Sequence, residues 1–148
     1  MPSREPLKPL TSKERQSAMS TLDKLMSAYR SHFAGRDLPE PSSVNFHIAP
    51  DRIDVQPFNT DDVTHLVNLL RWAQALNGVT GRQWRTPGSD SLHIHLSGRT
   101  DSGTSVTVYG GIPYPHVDGL VRLAPGETES VTPDEVYLLA DLLQQDAA

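Results

Sequence analysis

The sequence predicts a two-layer α+β fold, with an antiparallel sheet of five or six strands and three helices covering one of its faces. The order is α-β-β-α-β-β-β-(β)-α. Three features point to it. Residues Asp90–Ile112 alternate apolar and polar side chains on both sides of a short turn, the period of a sheet with one face in a core and one in water. Three segments space their apolar residues three and four apart behind helix-capping residues. Short links between successive strand segments favour antiparallel neighbours, and helices stacked on one side of such a sheet make two layers.

Residues 1–10 contain three prolines and read as a flexible N-terminal arm, with one α+β domain over 11–148. The first helix opens at Thr11, which has Glu14 at capping-box spacing. Ala18, Leu22, Leu25, Met26, Tyr29 and Phe33 form its apolar stripe, and Gly35 suits a left-handed end. Leu38–Ser43 reads as a linker. Ser43–Ala49 and Arg52–Gln56 are short strands, with Val44, Phe46 and Ile48 sharing one face and Ile53 and Val55 another. Thr60 is the expected cap of the second helix, with Asp61 and Asp62 opposing its dipole and Asn77-Gly78 ending it. Its stripe of Val63, Leu66, Val67, Leu70, Ala73 and Leu76 is the most apolar in the chain.

Arg82–Thr86 is the third strand, with Trp84 turned inward. The hairpin follows. A loop of Asp101-Ser102-Gly103, with glycine in the left-handed position, pairs Thr100 with Thr104. Stepping outward sets Leu96 opposite Val108 and Leu92 opposite Ile112 on the buried face. It sets His95 opposite Tyr109 and Ser97 opposite Thr107 on the wet face, and a slip of one residue would exchange the faces. Leu120–Leu123 is the candidate sixth, edge strand. Thr132-Pro133-Asp134-Glu135 starts the last helix, whose stripe is Val136, Leu139, Leu142 and Leu143.

The 148 residues are enough to bury a core. The chain has no run apolar enough to span a membrane and no secretory leader. The absence of cysteine excludes disulfides and thiolate metal sites and fits the cytoplasm. A net charge of −5 argues against general nucleic-acid binding. Charge is uneven, with seven Lys/Arg and three Asp/Glu in residues 1–36 and six against fifteen in the remainder. The basic segment can dock on its own acidic partner half or draw an anionic ligand such as nucleic acid. Arginine outnumbers lysine ten to three, a habit of GC-rich bacterial and phage genomes with no physical role assigned.

Two imidazoles at i and i+2, His93 and His95, point the same way from one strand, about 6.5–7 Å apart. Such a pair can grip a metal, with His47 as a third nitrogen if its strand lies adjacent and Asp54 as the one available carboxylate. Alternation alone, however, puts polar residues at both positions. Gly98, Gly103, Gly110 and Gly111 form no phosphate-binding loop and read as turns and bulges. Ser89, Ser91, Ser97 and Ser105 sit in no nucleophile elbow. Arg82, Arg85 and Arg99 around Trp84 could hold phosphates and stack on bases, although edge arginines also block strand addition. Pro113, Tyr114, Pro115 and His116 read as a rigid exposed loop.

No catalytic set converges, and no cofactor is expected. The expected function is a non-enzymatic protein-binding or adaptor module. Its contact surface is the wet sheet face and hairpin rim: His47, His93, His95, Tyr109, Arg85 and Arg99. Self-association through that face or through the first helix is a second arrangement open to the same surfaces. A metal-dependent enzyme or sensor on His93, His95 and His47 is the alternative, and nucleic-acid binding through the basic N-terminal segment is a third.

Overall fold

The structure, a computed structural model, describes residues 6–147. Its elements in chain order are α1 (Ser12–Phe33), β1 (Pro41–Ile48), β2 (Asp51–Pro57), α2 (Asp62–Gln74), β3 (Asn77–Arg85), β4 (Ser91–Arg99), β5 (Ser105–Pro113), β6 (Thr128–Val131) and α3 (Pro133–Asp146). The six strands form one sheet in the order β1-β2-β5-β4-β3-β6. All neighbours are antiparallel except β2 and β5, which run parallel with Asp54 beside Thr107. The parallel pair departs from the antiparallel expectation. It arises because α2, β3 and β4 intervene between β2 and β5, so β5 enters the sheet from the far end of a long crossover.

The hairpin of β4 and β5 has the expected register. Leu96 pairs with Val108, Leu92 with Ile112, His95 with Tyr109 and Ser97 with Thr107. Gly103 takes a φ of 89°, and the Thr100 amide donates to Thr104 at 2.9 Å. The inward residues Ile53, Val55, Leu92, Ile94, Leu96, Val106, Val108 and Ile112 are fully buried. α1 packs over β1 and β2, α2 over the central strands and α3 over β3, all against this one face. Burying each of these aliphatic side chains is worth about 1.5–3 kcal/mol.

Several local expectations change. The cap of α2 is Asp61, whose carboxylate accepts from the Thr64 amide at 2.9 Å. That bond holds the Asp61 carboxyl below the usual aspartate range. β3 begins at Asn77 rather than Arg82. Asn77-Gly78 starts the strand with an irregular register because α2 has already ended at Gln74. The sixth strand is Thr128–Val131, not Leu120–Leu123. Val121 and Leu123 are buried for another reason: they close around Tyr114, whose hydroxyl donates to the Val121 carbonyl at 2.7 Å and accepts from the Leu123 amide at 3.1 Å. Tyr114 is therefore 3% exposed and structural, not part of an exposed loop. Trp84 points away from the core, and its neighbour Gln83 points in, donating to Glu129 at 2.6 Å.

The caps of α1 and α3 follow the sequence reading. Thr11 accepts from the Glu14 amide, and Thr132 and Glu135 form a reciprocal capping box. No helix among the described residues is long and apolar enough to cross a membrane.

Candidate functional site

Among the described residues, no helix packs on the second face of the sheet. Pairing places Asn45 and His47 of β1, Arg52 and Asp54 of β2, Thr107 and Tyr109 of β5, and His93, His95 and Ser97 of β4 on it. Arg82 and Trp84 of β3 join them, since Trp84 lies opposite His93 and Arg82 opposite His95.

Four of these side chains form a continuous row. Trp84 stacks on His93, with ring centroids 5.5 Å apart and planes 27° from parallel. It meets His95 edge-on at 4.6 Å. His95 meets Tyr109 at 5.6 Å. The row crosses β3, β4 and β5, about 10 Å in the plane of the sheet, and each ring keeps part of its surface in water. Crowding by these neighbours has an electrostatic effect. Desolvation pushes the His95 imidazole below the ordinary histidine value; Asp54 opposes the shift, while His93 and Arg52 add to it.

A polar cluster lies on the β1–β2 side. His47 Nε2 is 2.8 Å from Asp54 Oδ2, and Arg52 Nε is 3.2 Å from Oδ1. The Asp54 side chain is 16% exposed. Its Oδ1 has no hydrogen-bond partner, so the Arg52 contact is an ion pair without hydrogen-bond alignment. Ser97 and Thr107 are joined by a 2.9 Å hydroxyl–hydroxyl bond.

Of the residues expected at the contact surface, His93, His95 and Tyr109 come together. His47 shares their face but lies three strand steps from β4, about 14 Å, and pairs with Asp54 instead. No set of three His, Asp or Glu side chains among the described residues is arranged to hold a metal ion. Arg99 is at the hairpin tip on the same face, its Nη1 donating to the Gly103 carbonyl at 2.9 Å. Arg85 does not belong to the surface. It turns to the helix side at the end of β3, donates to Asp90 at 2.7 Å and to the Leu123 carbonyl at 3.0 Å, and lies 3.8 Å over the Tyr114 ring. That aromatic and carboxylate cradle makes it part of the packing.

Trp84 is the residue the sequence reading placed wrongly, although a signal for it existed. The Pro87–Asp90 turn pairs Thr86 with Ser91, the Thr86 amide donating at 2.9 Å, and two residues outward Trp84 falls opposite His93. The other buried imidazoles serve the fold. His32 donates from Nε2 to the Ala75 carbonyl and accepts the Asp101 amide on Nδ1, tying α1 and the end of α2 to the hairpin tip.

No family model, curated protein or solved structure matches this chain.

Proposed function

We propose that the chain is a non-enzymatic binding module that takes a protein partner on the uncovered sheet face, the partner presenting an acidic segment with apolar side chains. The observation that carries this reading is the Trp84–His93–His95–Tyr109 row on a face without a covering helix. Rigid amphipathic rings of this kind supply contact area at low entropic cost and concentrate binding energy. Charge supplies the sign of the partner. Among the described strand residues, Arg52, Arg82 and Arg99 lie on this face with Asp54 as the one carboxylate, in a chain whose net charge is −5. The acidic total disfavours a polyphosphate partner, which requires net cation release. A chain without cysteine has no need of an oxidising compartment, consistent with a cytoplasmic partner.

Immobilised protein tests this reading, with Trp84→Ala/Tyr109→Ala as the open-face variant and Tyr137→Ala, exposed on α3, as the control. Wild type and Tyr137→Ala should hold the same protein. The double variant should weaken its binding at least about tenfold, and neutralising the partner's acidic stretch should weaken it too. Retention by the double variant refutes the proposal. Stoichiometric metal in purified protein, lost on changing His93 and His95 to alanine, would replace it with the metal-dependent reading.

A further inference from the structure

A second surface lies on the helix-covered side of the sheet. At the C-terminal end of α1, a groove of about 320 Å³ is lined by Tyr29, Phe33, Leu38, Pro39, Pro41 and Trp72, with Arg30 and Glu40 at its rim. Its floor is aromatic. Phe33 contacts Trp72 with ring centroids 5.0 Å apart and Tyr29 at 5.1 Å. The Trp72 indole donates to the Pro39 carbonyl at 2.9 Å, which fixes the linker wall. Burial raises the Tyr29 hydroxyl above its ordinary value, as expected for a phenol in an apolar wall.

The other end of α1 presents a ligand of matching form. Pro6-Leu7-Lys8-Pro9-Leu10 has no helix or strand, and its leucines are the first and second apolar residues of the described chain, Leu7 98% exposed and Leu10 53%. A proline-flanked segment favours the polyproline II helix, with three residues per turn. In that form Leu7 and Leu10 share one edge, Pro6 and Pro9 a second, and Lys8 lies on the third, beside the leucine edge and toward the rim when that edge is seated. Extended proline-rich segments of this kind dock in aromatic grooves. Among the described residues neither Lys8 nor Glu40 has an ion-pair partner, so Lys8 can meet Glu40 at the rim.

The arm cannot fill its own groove. Tyr29 lies seventeen residues along α1 from Ser12, about 26 Å at the helical rise. Leu7 is only five residues from Ser12, at most about 18 Å of extended chain, and Leu10 is closer still. An arm seated in this groove therefore has to come from another copy. We infer that two copies of this chain associate by exchanging arms, residues 6–10 of each seated in the Tyr29–Phe33–Trp72 groove of the other. The contact is self-complementary and occurs twice per dimer, as a twofold pair requires, and the second docking is intramolecular once the first has formed.

Sedimentation of the full chain from micromolar to millimolar concentration tests the inference. The wild type should pass from monomer to dimer. Leu7→Ser/Leu10→Ser should remain monomeric with an unchanged melting temperature, since neither side chain is packed. Leu38→Arg, which blocks the groove, should also remain monomeric. Mixing the two variants should give a heterodimer weaker than the wild-type dimer, because one supplies an intact arm and the other an intact groove and only one of the two dockings can form. A wild type that stays monomeric over the whole range overturns the inference. So does a dimer that survives loss of both leucines, which would place self-association on another surface.

Discussion

Gly110 and Gly111 are neighbours on β5 that face opposite ways, and they show how differently the two sides of this sheet are built. A Cβ on Gly110 would sit 2.1 Å from Nε2 of His65, in the layer between the sheet and α2. A Cβ on Gly111 would come 3.3 Å from Nε2 of His93, at the end of a partly exposed ring on the uncovered side. The first neighbour is clamped: His65 is 1% exposed, and its Nδ1 is held toward the Phe58 carbonyl at 3.3 Å. The second can move. One face therefore tolerates almost no change of volume, because close-packed interiors transmit strain. The other keeps its side chains adjustable, as a contact surface must.

The largest expected effect is at Gly110. Gly110→Ala should cost about 3 kcal/mol or more, or prevent folding, the upper end of the range for overpacking against a fixed neighbour. Gly111→Ala should cost under about 1 kcal/mol. Urea unfolding of the two single variants checks the contrast, and equal losses would mean that the faces do not differ.

The adjacent pair Leu96 and His95 extends the comparison. Leu96→Ala removes a fully buried side chain and should cost about 2–5 kcal/mol. His95→Ala, on the other face, should cost no more than about 1 kcal/mol. Thermal and urea midpoints on the same variants give the two values.

The effect of pH is smaller and separates the buried from the half-buried imidazole. Burial lowers the His65 and His95 values below the ordinary histidine range. For His65, the Phe58 carbonyl and Asp62 partly offset that shift. Each folded imidazole thus takes up its proton at lower pH than in the unfolded chain. Their contribution is full above the unfolded value, about 6.5, and declines as pH falls below it toward the lower folded values. Stability should fall on acidification below about pH 6.5. His65→Leu removes one titrating group, together with the partnerless Nε2, and should flatten the slope. A slope unchanged in that variant would place the acid sensitivity elsewhere.

The hairpin was legible because two unrelated signals agreed: the Asp101-Ser102-Gly103 loop fixed the pairing, and alternation fixed the faces. β3 and β6 were not. The core side of β3 carries Gly81, Gln83 and Arg85, which look like surface residues in isolation. They turn inward because distant partners satisfy or require them. A Cβ at Gly81 would meet the Val131 carbonyl at 2.4 Å, Gln83 finds Glu129, and Arg85 finds Asp90 and Tyr114. With its inward positions polar, β3 leaves its one large apolar residue, Trp84, on the outside. In β6 only Val131 is buried, so it carries no alternation to read. The His93–His95–Tyr109 part of the site came from local pattern. What depends on strand order, which one sequence does not encode locally, is the separation of His47 from His93 and His95, since β2 and β5 stand between their strands.

The two tryptophans offer the most direct check that the sheet has one covered and one open face, since Trp72 lies under α1 and Trp84 lies on the imidazole row. Fluorescence of the Trp72→Phe variant, which retains Trp84, should be red-shifted and readily quenched by acrylamide. The Trp84→Phe variant, which retains Trp72, should emit to the blue and resist quenching. If Trp84 in the free monomer proves as blue-shifted and as shielded as Trp72, the face is covered and the proposed binding surface does not exist.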